Sequence, residues 1–275
     1  MVISSRDNEM VRRLRRLQTD AKMRRQEGAF VIEGARLCAD AAGSGAAIET
    51  ALLTARAREK FPEYAAAVTA VAAHVFDVTE GVAASLSDTE TAQGIICLCK
   101  ALDNRKMLDT IDSSILPTFK NKKWLALENV RDPGNVGTVI RTAEAVGIDG
   151  LILSAGCCDV YSPKVLRGSM GGVFRLPLWE TADLPAAIAR LQAAGACGYA
   201  CVPSNEGDVL SVVEAPLAAG SVCVIGNEAN GLTAETIAAC THRLTIPMAG
   251  RAESLNAAVA ASLVMWEMSR RDYVG

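Results

Sequence analysis

The stretch Trp124-Leu-Ala-Leu-Glu-Asn-Val-Arg-Asp-Pro-Gly-Asn-Val-Gly137 decides the fold. A compact apolar strand, Trp124 to Leu127, runs into a turn rich in Gly, Pro and Asn. A helix follows from about Val136 to Val146, and then a second apolar strand, Leu151-Ile-Leu153. Two parallel strands need a crossover long enough to hold a helix, so strand, turn, helix, strand is the repeating unit of a parallel sheet. The alternation continues with a short helix around Ser162 to Met170, a strand from Val173 to Leu178 and a helix from Leu184 to Ala194. Strands at Tyr199 to Val202, Val222 to Ile225 and Leu244 to Ile246 follow. A last helix, from about Ser254 to Arg270, is expected to turn Leu255, Val259, Leu263 and Trp266 toward a core. This half of the chain reads as a doubly wound α/β domain.

Upstream, Asn8 to Arg25 places Met10, Leu14, Leu17 and Ala21 on one helical stripe and fills the rest with basic residues. Phe30-Val-Ile32 is a short strand, and Glu33 to Ala42 a helix ended by Gly43. Ile48 to Leu53 and His74 to Val78 are further strands, and Gly94-Ile-Ile-Cys-Leu-Cys99 suits a buried one. A smaller α/β domain over 1–103 results, with residues 104–123, polar and holding Pro117, as the linker to a domain over 124–275.

Composition narrows the function. Half of the 275 residues are apolar and 21% are charged, the profile of an ordinary soluble protein. The net charge of −3 does not advertise nucleic-acid binding, so any such activity must rest on local charge. Aromatics are 4% of the chain, which disfavours recognition by stacked bases. The nine cysteines form no C-x-x-C pair and only two histidines, His74 and His242, exist to complete a site, so no metal is expected. The opening Met1-Val-Ile-Ser-Ser-Arg6 lacks a secretory core, and no apolar run is long enough to span a bilayer. The expected location is the cytoplasm, without a membrane partner.

In open parallel sheets ligands bind beyond the carboxyl ends of the strands. Three segments leaving strands are unusual: Glu128 to Gly137, leading into the helix that bears Arg141; Ile225-Gly-Asn-Glu-Ala-Asn-Gly-Leu232; and Ile246-Pro-Met-Ala-Gly-Arg-Ala-Glu-Ser-Leu-Asn256. Glycines admit a ligand close to the backbone, and asparagines offer donors and acceptors without charge. That suits a neutral adenine and ribose better than a triphosphate. A phosphate loop of the form G-x-x-x-x-G-K-[ST] is absent, and so is the G-x-G-x-x-G fingerprint, which excludes a nicotinamide-dependent oxidoreductase of the usual kind. Each loop alone is an ordinary capped turn. Three in one domain point to a site.

In order and spacing, Asn129 through Arg141, Gly226-Asn-Glu228 with Gly231-Leu232, and Ile246-Pro-Met248 through Ser254-Leu-Asn256 resemble the three signature motifs of the SpoU-type (TrmH-like) RNA ribose 2′-O-methyltransferases of the SPOUT superfamily. Tyr161-Ser-Pro-Lys-Val-Leu-Arg-Gly-Ser-Met-Gly171 is similar to the stretch between those motifs. Asn8 to Gly34 resembles the N-terminal substrate-binding domain of many members. Glu228-Ala-Asn-Gly231 departs from relatives that carry another glycine after the glutamate, and Asn256-Ala-Ala-Val259 from relatives with bulkier or hydroxyl residues.

The resemblance implies a C-terminal trefoil-knotted, parallel-sheet methyltransferase domain preceded by a smaller α/β substrate-binding domain, acting as a homodimer through the C-terminal domain. It implies S-adenosylmethionine as cofactor, held by Gly226, Asn227, Glu228, Gly231, Ile246, Met248, Ser254, Leu255 and Asn256. It implies catalytic roles for Arg141, Asn135, Glu228, Ser254 and Asn256. Because a guanidinium hardly ever deprotonates, Arg141 is read as orienting the RNA phosphate and stabilising developing alkoxide charge. RNA is the expected partner, ribosomal before transfer RNA, with Arg12, Arg13, Arg15, Arg16, Arg24 and Arg25 as phosphate contacts. The competing reading is a non-catalytic RNA-binding protein that keeps the knotted fold.

Overall fold

A computed structural model describes residues 2–89, 91–203 and 208–273. In chain order the elements are β1 (Val2–Ile3), α1 (Glu9–Thr19), α2 (Ala21–Glu27), β2 (Ala29–Glu33), α3 (Ala35–Gly43), β3 (Ile48–Leu53), α4 (Ala55–Lys60), α5 (Pro62–Val71), β4 (His74–Val78), α6 (Glu80–Ser85) and β5 (Ile95–Lys100). Then follow β6 (Arg105–Met107), β7 (Trp124–Leu127), α7 (Pro133–Ala145), β8 (Gly150–Ser154), α8 (Pro163–Gly168), β9 (Leu178–Thr181), α9 (Leu184–Ala193), β10 (Cys197–Cys201), β11 (Leu210–Ser211), β12 (Ser221–Ile225), α10 (Ala234–Ala239), β13 (His242–Thr245) and α11 (Ala257–Tyr273). The chain divides into two compact units, one of residues 1–103 with 159–175, the other of 104–158 with 176–275.

The first unit carries a mixed five-stranded sheet in the order β1-β4-β3-β5-β2, with β5 antiparallel to both β2 and β3. Val11, Leu14 and Leu17 of α1 pack with Val31, Leu52 and Leu98 into its core. The single helix expected over Asn8 to Arg25 is two helices. Asp20 leaves the helical region (φ −114°, ψ 105°) and its carboxylate accepts from the backbone N–H groups of Lys22 and Met23, capping α2. An aspartate that can satisfy two free N–H groups stabilises a helix start more than a helix interior.

Residues 159–175, expected within the C-terminal domain, pack in this first unit. The Tyr161 ring stacks on Phe30 at 4.2 Å and 2°, and its hydroxyl accepts from the Leu102 N–H at 2.8 Å. Arg24 is only 5% exposed: it pairs with Asp159 at 2.7 Å and donates to the Leu17 and Gln18 carbonyls at 2.6 and 3.0 Å. The strand expected over Val173 to Leu178 is displaced. Met170 and Gly171 turn through positive φ (48° and 82°), Gly172–Phe174 forms a 3-10 turn, and the strand begins at Leu178.

The second unit is built on an all-parallel sheet, order β11-β13-β10-β12-β7-β8-β9-β6. Its centre is β12-β7-β8, where Trp124 sits opposite Val222 on one side and Gly150 on the other. The indole lies over Gly150, where any Cβ would fall 2.2 Å from the ring, so a tryptophan at the start of β7 requires a glycine at the start of β8. The segment 104–123, expected as a linker, is part of this unit. It supplies β6 and a 3-10 turn, Leu116–Asn121, and buries Leu108, Leu116 and Phe119. Phe119 stacks on Trp124 at 4.3 Å and meets Trp179 edge-on at 5.8 Å, an arrangement that rewards burial of this otherwise polar stretch.

The last helix faces the other way from the expected one. Leu255 lies just before it at 37% exposure, and Val259, Leu263 and Trp266 are 48, 42 and 50% exposed; Ala257, Ala258, Ala261, Val264, Met265 and Met268 are buried. The small alanine face lets α11 pack closely on α7 and β12. Among the described residues no helix is long and apolar enough to cross a membrane.

Candidate active site

Strand β7 passes directly into the first loop. The Glu128 N–H donates to the Ile225 carbonyl at 2.9 Å, holding the ends of β7 and β12 side by side. Asn129 then takes a left-handed conformation (φ 55°), which asparagine tolerates better than most residues. Its N–H donates to Ser154 Oγ at 2.9 Å, tying the turn to the end of β8. Asp132 caps α7 by accepting from the Asn135 N–H at 2.9 Å, and Pro133 takes a helix position where its missing N–H costs nothing.

The second loop folds back on itself. Asn227 and Gly231 exchange backbone hydrogen bonds of 3.0 and 2.9 Å, and Gly226 lies so close beneath that a Cβ would sit 2.3 Å from the Gly231 carbonyl carbon. Asn227 Nδ2 donates to the Asn129 carbonyl at 2.8 Å. Glu128 anchors the far side. Only 4% exposed, its carboxylate accepts from the Thr233 N–H at 2.8 Å and from the hydroxyls of Thr233 at 2.9 Å and Thr236 at 2.6 Å. A buried carboxylate needs such donors, and these three fix the start of α10 and with it the loop before it.

The third loop leaves β13 and ends in Asn256, whose Oδ1 accepts from the N–H groups of Ala258 and Val259 at 2.9 and 3.2 Å and so caps α11. Its Nδ2 donates to Asn135 Oδ1 at 3.0 Å, and Asn135 Nδ2 donates to Glu228 Oε1 at 2.7 Å. One residue from each loop thus joins a continuous chain, Asn256 to Asn135 to Glu228.

This chain borders two hollows. A cleft of ≈390 Å³ is walled by Gly226, Asn227, Glu228 and Gly231 from the second loop and by Ile246, Met248, Ser254 and Leu255 from the third. A neighbouring hollow of ≈420 Å³ is lined by the cap Asp132 with Gly134, Asn135 and Thr138 of α7, and by the cap Asn256 with Val259, Ser262 and Leu263 of α11. Every residue expected at the cofactor lies on the cleft, except Asn256, which lies in the second hollow. Arg141 lines neither. It is exposed on α7, seven residues beyond Gly134 and three beyond Thr138, and so continues their stripe two turns, about 10 Å, along the helix.

The basic residues of the first unit divide. Arg12, Arg15, Arg16 and Arg25 are exposed. Arg13 is half-buried and pairs with Glu27 at 2.8 Å and Glu49 at 3.1 Å. Arg24, expected to meet RNA, is a buried structural residue because its guanidinium is used by Asp159 and two carbonyls. Reading the sequence for function missed Glu128, Thr233 and Thr236. Their signal was present, an acid at a strand end and a threonine cap three residues before a second threonine. Among the described residues no group of three His, Cys, Asp or Glu is arranged to hold a metal.

Comparison with known proteins agrees with this architecture. Residues 122–266 match the SpoU rRNA Methylase family, and residues 8–97 match the MRM3-like substrate binding domain. The chain is 32% identical over 271 residues to an uncharacterized tRNA/rRNA methyltransferase of Synechocystis, covering 98% of this chain and 94% of that one. It is 29% identical over 266 residues to the 23S rRNA (guanosine(2553)-2′-O)-methyltransferase RlmP of Bacillus subtilis, covering 97% and 98%. It superimposes with a TM-score of 0.83 on the SpoU methyltransferase AviRb of Streptomyces viridochromogenes in complex with AdoMet, at 25% identity and 98% and 99% coverage. With its three loops, its parallel sheet and a family match across more than half its length, this chain belongs to the SpoU rRNA methylase family.

Proposed function

We propose that this protein transfers a methyl group from S-adenosylmethionine to a ribose 2′-hydroxyl of ribosomal RNA. The observation that carries the reading is the hydrogen-bonded chain Asn256–Asn135–Glu228, which gathers the three motifs at the border between the cleft and the second hollow. The cleft fits the cofactor. Met248 and Leu255 leave apolar walls 36 and 37% exposed for the adenine, and the glycine-rich loop Gly226–Gly231 lines the same cleft with little side-chain bulk.

When bound, the sulfonium supplies a methyl group already activated for transfer, so what remains for the protein is to orient the acceptor and stabilise charge. Gly226, Asn227, Gly231, Ile246, Met248, Ser254 and Leu255 hold the cofactor. Glu228, Asn135 and Asn256 fix the boundary between the cleft and the hollow at α7, where the target ribose enters. Arg141, permanently cationic, binds the RNA phosphate and stabilises negative charge developing on the 2′-oxygen. Ser254 and Asn256 complete the site on the side of the third loop.

The second unit is the methyltransferase domain with its chain threaded through a trefoil knot, and the first unit grips RNA through Arg12, Arg15, Arg16 and Arg25. The protein works in the cytoplasm as a homodimer, and the exposed stripe Val259, Leu263 and Trp266 of α11 supplies its contact, so that the hollow lined by Val259 and Leu263 stands beside the partner subunit.

The test is transfer of label from methyl-tritiated S-adenosylmethionine to protein-free ribosomal RNA. Incorporation at one ribose, lost in Arg141→Ala with cofactor affinity retained, supports the reading. RNA binding without incorporation favours a non-catalytic protein, and full turnover by Arg141→Ala removes that residue from the mechanism.

A further inference from the structure

The first unit contains a hollow that the methyl-transfer site does not use. Its volume is ≈390 Å³, and it opens where β2 ends and α3 begins. Gly34 turns there with φ 109°, and the first N–H of α3, from Ala35, donates to Gln93 Oε1 at 2.7 Å. That bond pins the Gln93 amide, whose Nε2 makes no hydrogen bond among the described residues and is left as a donor of fixed direction in the wall.

The charges around the hollow are not equally engaged. Glu33 is occupied, accepting from the Ser87 hydroxyl at 2.5 Å and the Asp88 N–H at 3.2 Å. Arg167 donates to Asp88 at 2.9 Å, an exposed rim pair of the kind that exchanges readily for a stronger anion. Arg36, in the first turn of α3, is exposed and forms no ion pair with a described residue. It stands where the helix dipole also favours an anion. Asp40 adds an acceptor to the wall.

Two apolar side chains, Met170 and Leu37, also line the hollow. Met170 is held at φ 48°, a conformation unfavourable for any residue with a Cβ, and is 42% exposed, with Leu37 beside it. A long apolar side chain kept in a strained backbone position and left in solvent is what a ligand contact requires and a packing role does not. The set matches one nucleotide: two apolar side chains for the base, a donor and an acceptor for its edge, and a guanidinium without an ion pair to a described residue for its phosphate.

We infer that this hollow seats a single unpaired nucleotide of the RNA substrate, its base against Met170 and Leu37 and its phosphate at Arg36. The inference rests on the reading of the chain as an RNA methyltransferase and adds to it a contact outside the α1–α2 arginines. It makes the first unit a reader of RNA shape, selecting molecules with a splayed base at a fixed place.

The experiment is filter binding of the full chain to protein-free large-subunit ribosomal RNA across a salt series, with Arg36→Ala and Met170→Gly compared to wild type. Each variant raises Kd roughly five- to tenfold while cofactor affinity stays unchanged and Tm does not fall, since glycine at position 170 relieves the positive φ. Arg36→Ala also lowers the salt slope by about one, whereas Met170→Gly leaves it as it was, because only the first removes a phosphate contact. Wild-type binding and methylation with both variants binding equally tightly overturns the inference and leaves the function standing. Failure of wild type to bind or methylate this RNA overturns both.

Discussion

Asn256 donates its side-chain amide to Asn135 at 3.0 Å while its own carbonyl oxygen caps the helix that follows. The start of α11 is thereby fixed to the first turn of α7, although 121 residues of chain separate the two asparagines. Asn135 completes the link by donating to Glu228 at 2.7 Å. Neither asparagine carries charge, so their contribution is geometric, setting where the second and third loops stand relative to α7.

Breaking that link has a defined consequence. Asn135→Ala removes both bonds at once and lowers kcat on the order of 10²-fold, since a shift of about 1 Å at a reacting centre costs that much. The KM for S-adenosylmethionine rises less, because the cleft walls themselves stay intact. Steady-state kinetics on ribosomal RNA separate the two, and an unchanged kcat assigns Asn135 no positioning role.

Arg24 behaves as a structural residue and not as an RNA contact. Arg24→Ala leaves the half-buried Asp159 carboxylate without its ion-pair partner and two carbonyls without their donor, and destabilises the fold by about 3 kcal/mol. Arg16→Ala and Arg25→Ala, at exposed positions, leave stability within about 0.5 kcal/mol and weaken RNA binding instead. Urea unfolding of the three variants distinguishes these outcomes.

The buried thiols set an alkaline limit. Burial pushes Cys38, Cys99 and Cys223 well above the ordinary thiol value, and Cys240 up to about 12. A folded-state pKa above the unfolded one means that the unfolded chain loses protons first as pH rises. Stability from these groups is therefore complete below about pH 9 and declines above it, by at most about 1.4 kcal/mol per thiol per pH unit. Tm falls between pH 8.5 and 10.5, and Cys223→Ala makes that fall shallower. Equal slopes for both proteins assign the loss to other groups.

The stripe on α11 predicts assembly. Val259, Leu263 and Trp266 lie on one exposed face, and Trp266 stacks against Tyr273 at 6.1 Å. Trp266→Glu raises the dimer dissociation constant by at least about thirtyfold in sedimentation, as expected for an aromatic anchor. A wild-type chain that sediments as a monomer contradicts the homodimer directly.

The parallel sheet and its three loops were legible because β-strands of four or five apolar residues alternate with capped helices, and because each loop has a composition that packing alone does not need. The burial of α11 was not legible. Its sequence is apolar on both faces, so periodicity favoured the larger residues, whereas close approach to α7 favours the alanines. The break at Asp20 was visible only as a cap competing with a helix interior. The place of residues 159–175 rests on long-range partners, Arg24 with Asp159 and Phe30 with Tyr161, which no local pattern reveals. Of the candidate site, the loops were readable, while the Glu128 anchor beneath them depended on which threonines folded against it.

The most direct measurement is diffraction from crystals of the protein grown with S-adenosylmethionine. The account predicts density for the cofactor between Gly226–Gly231 and Ile246–Leu255, with its methyl-bearing sulfur turned toward Asn135. Density for the cofactor elsewhere on the molecule, or none at saturating concentration, contradicts it.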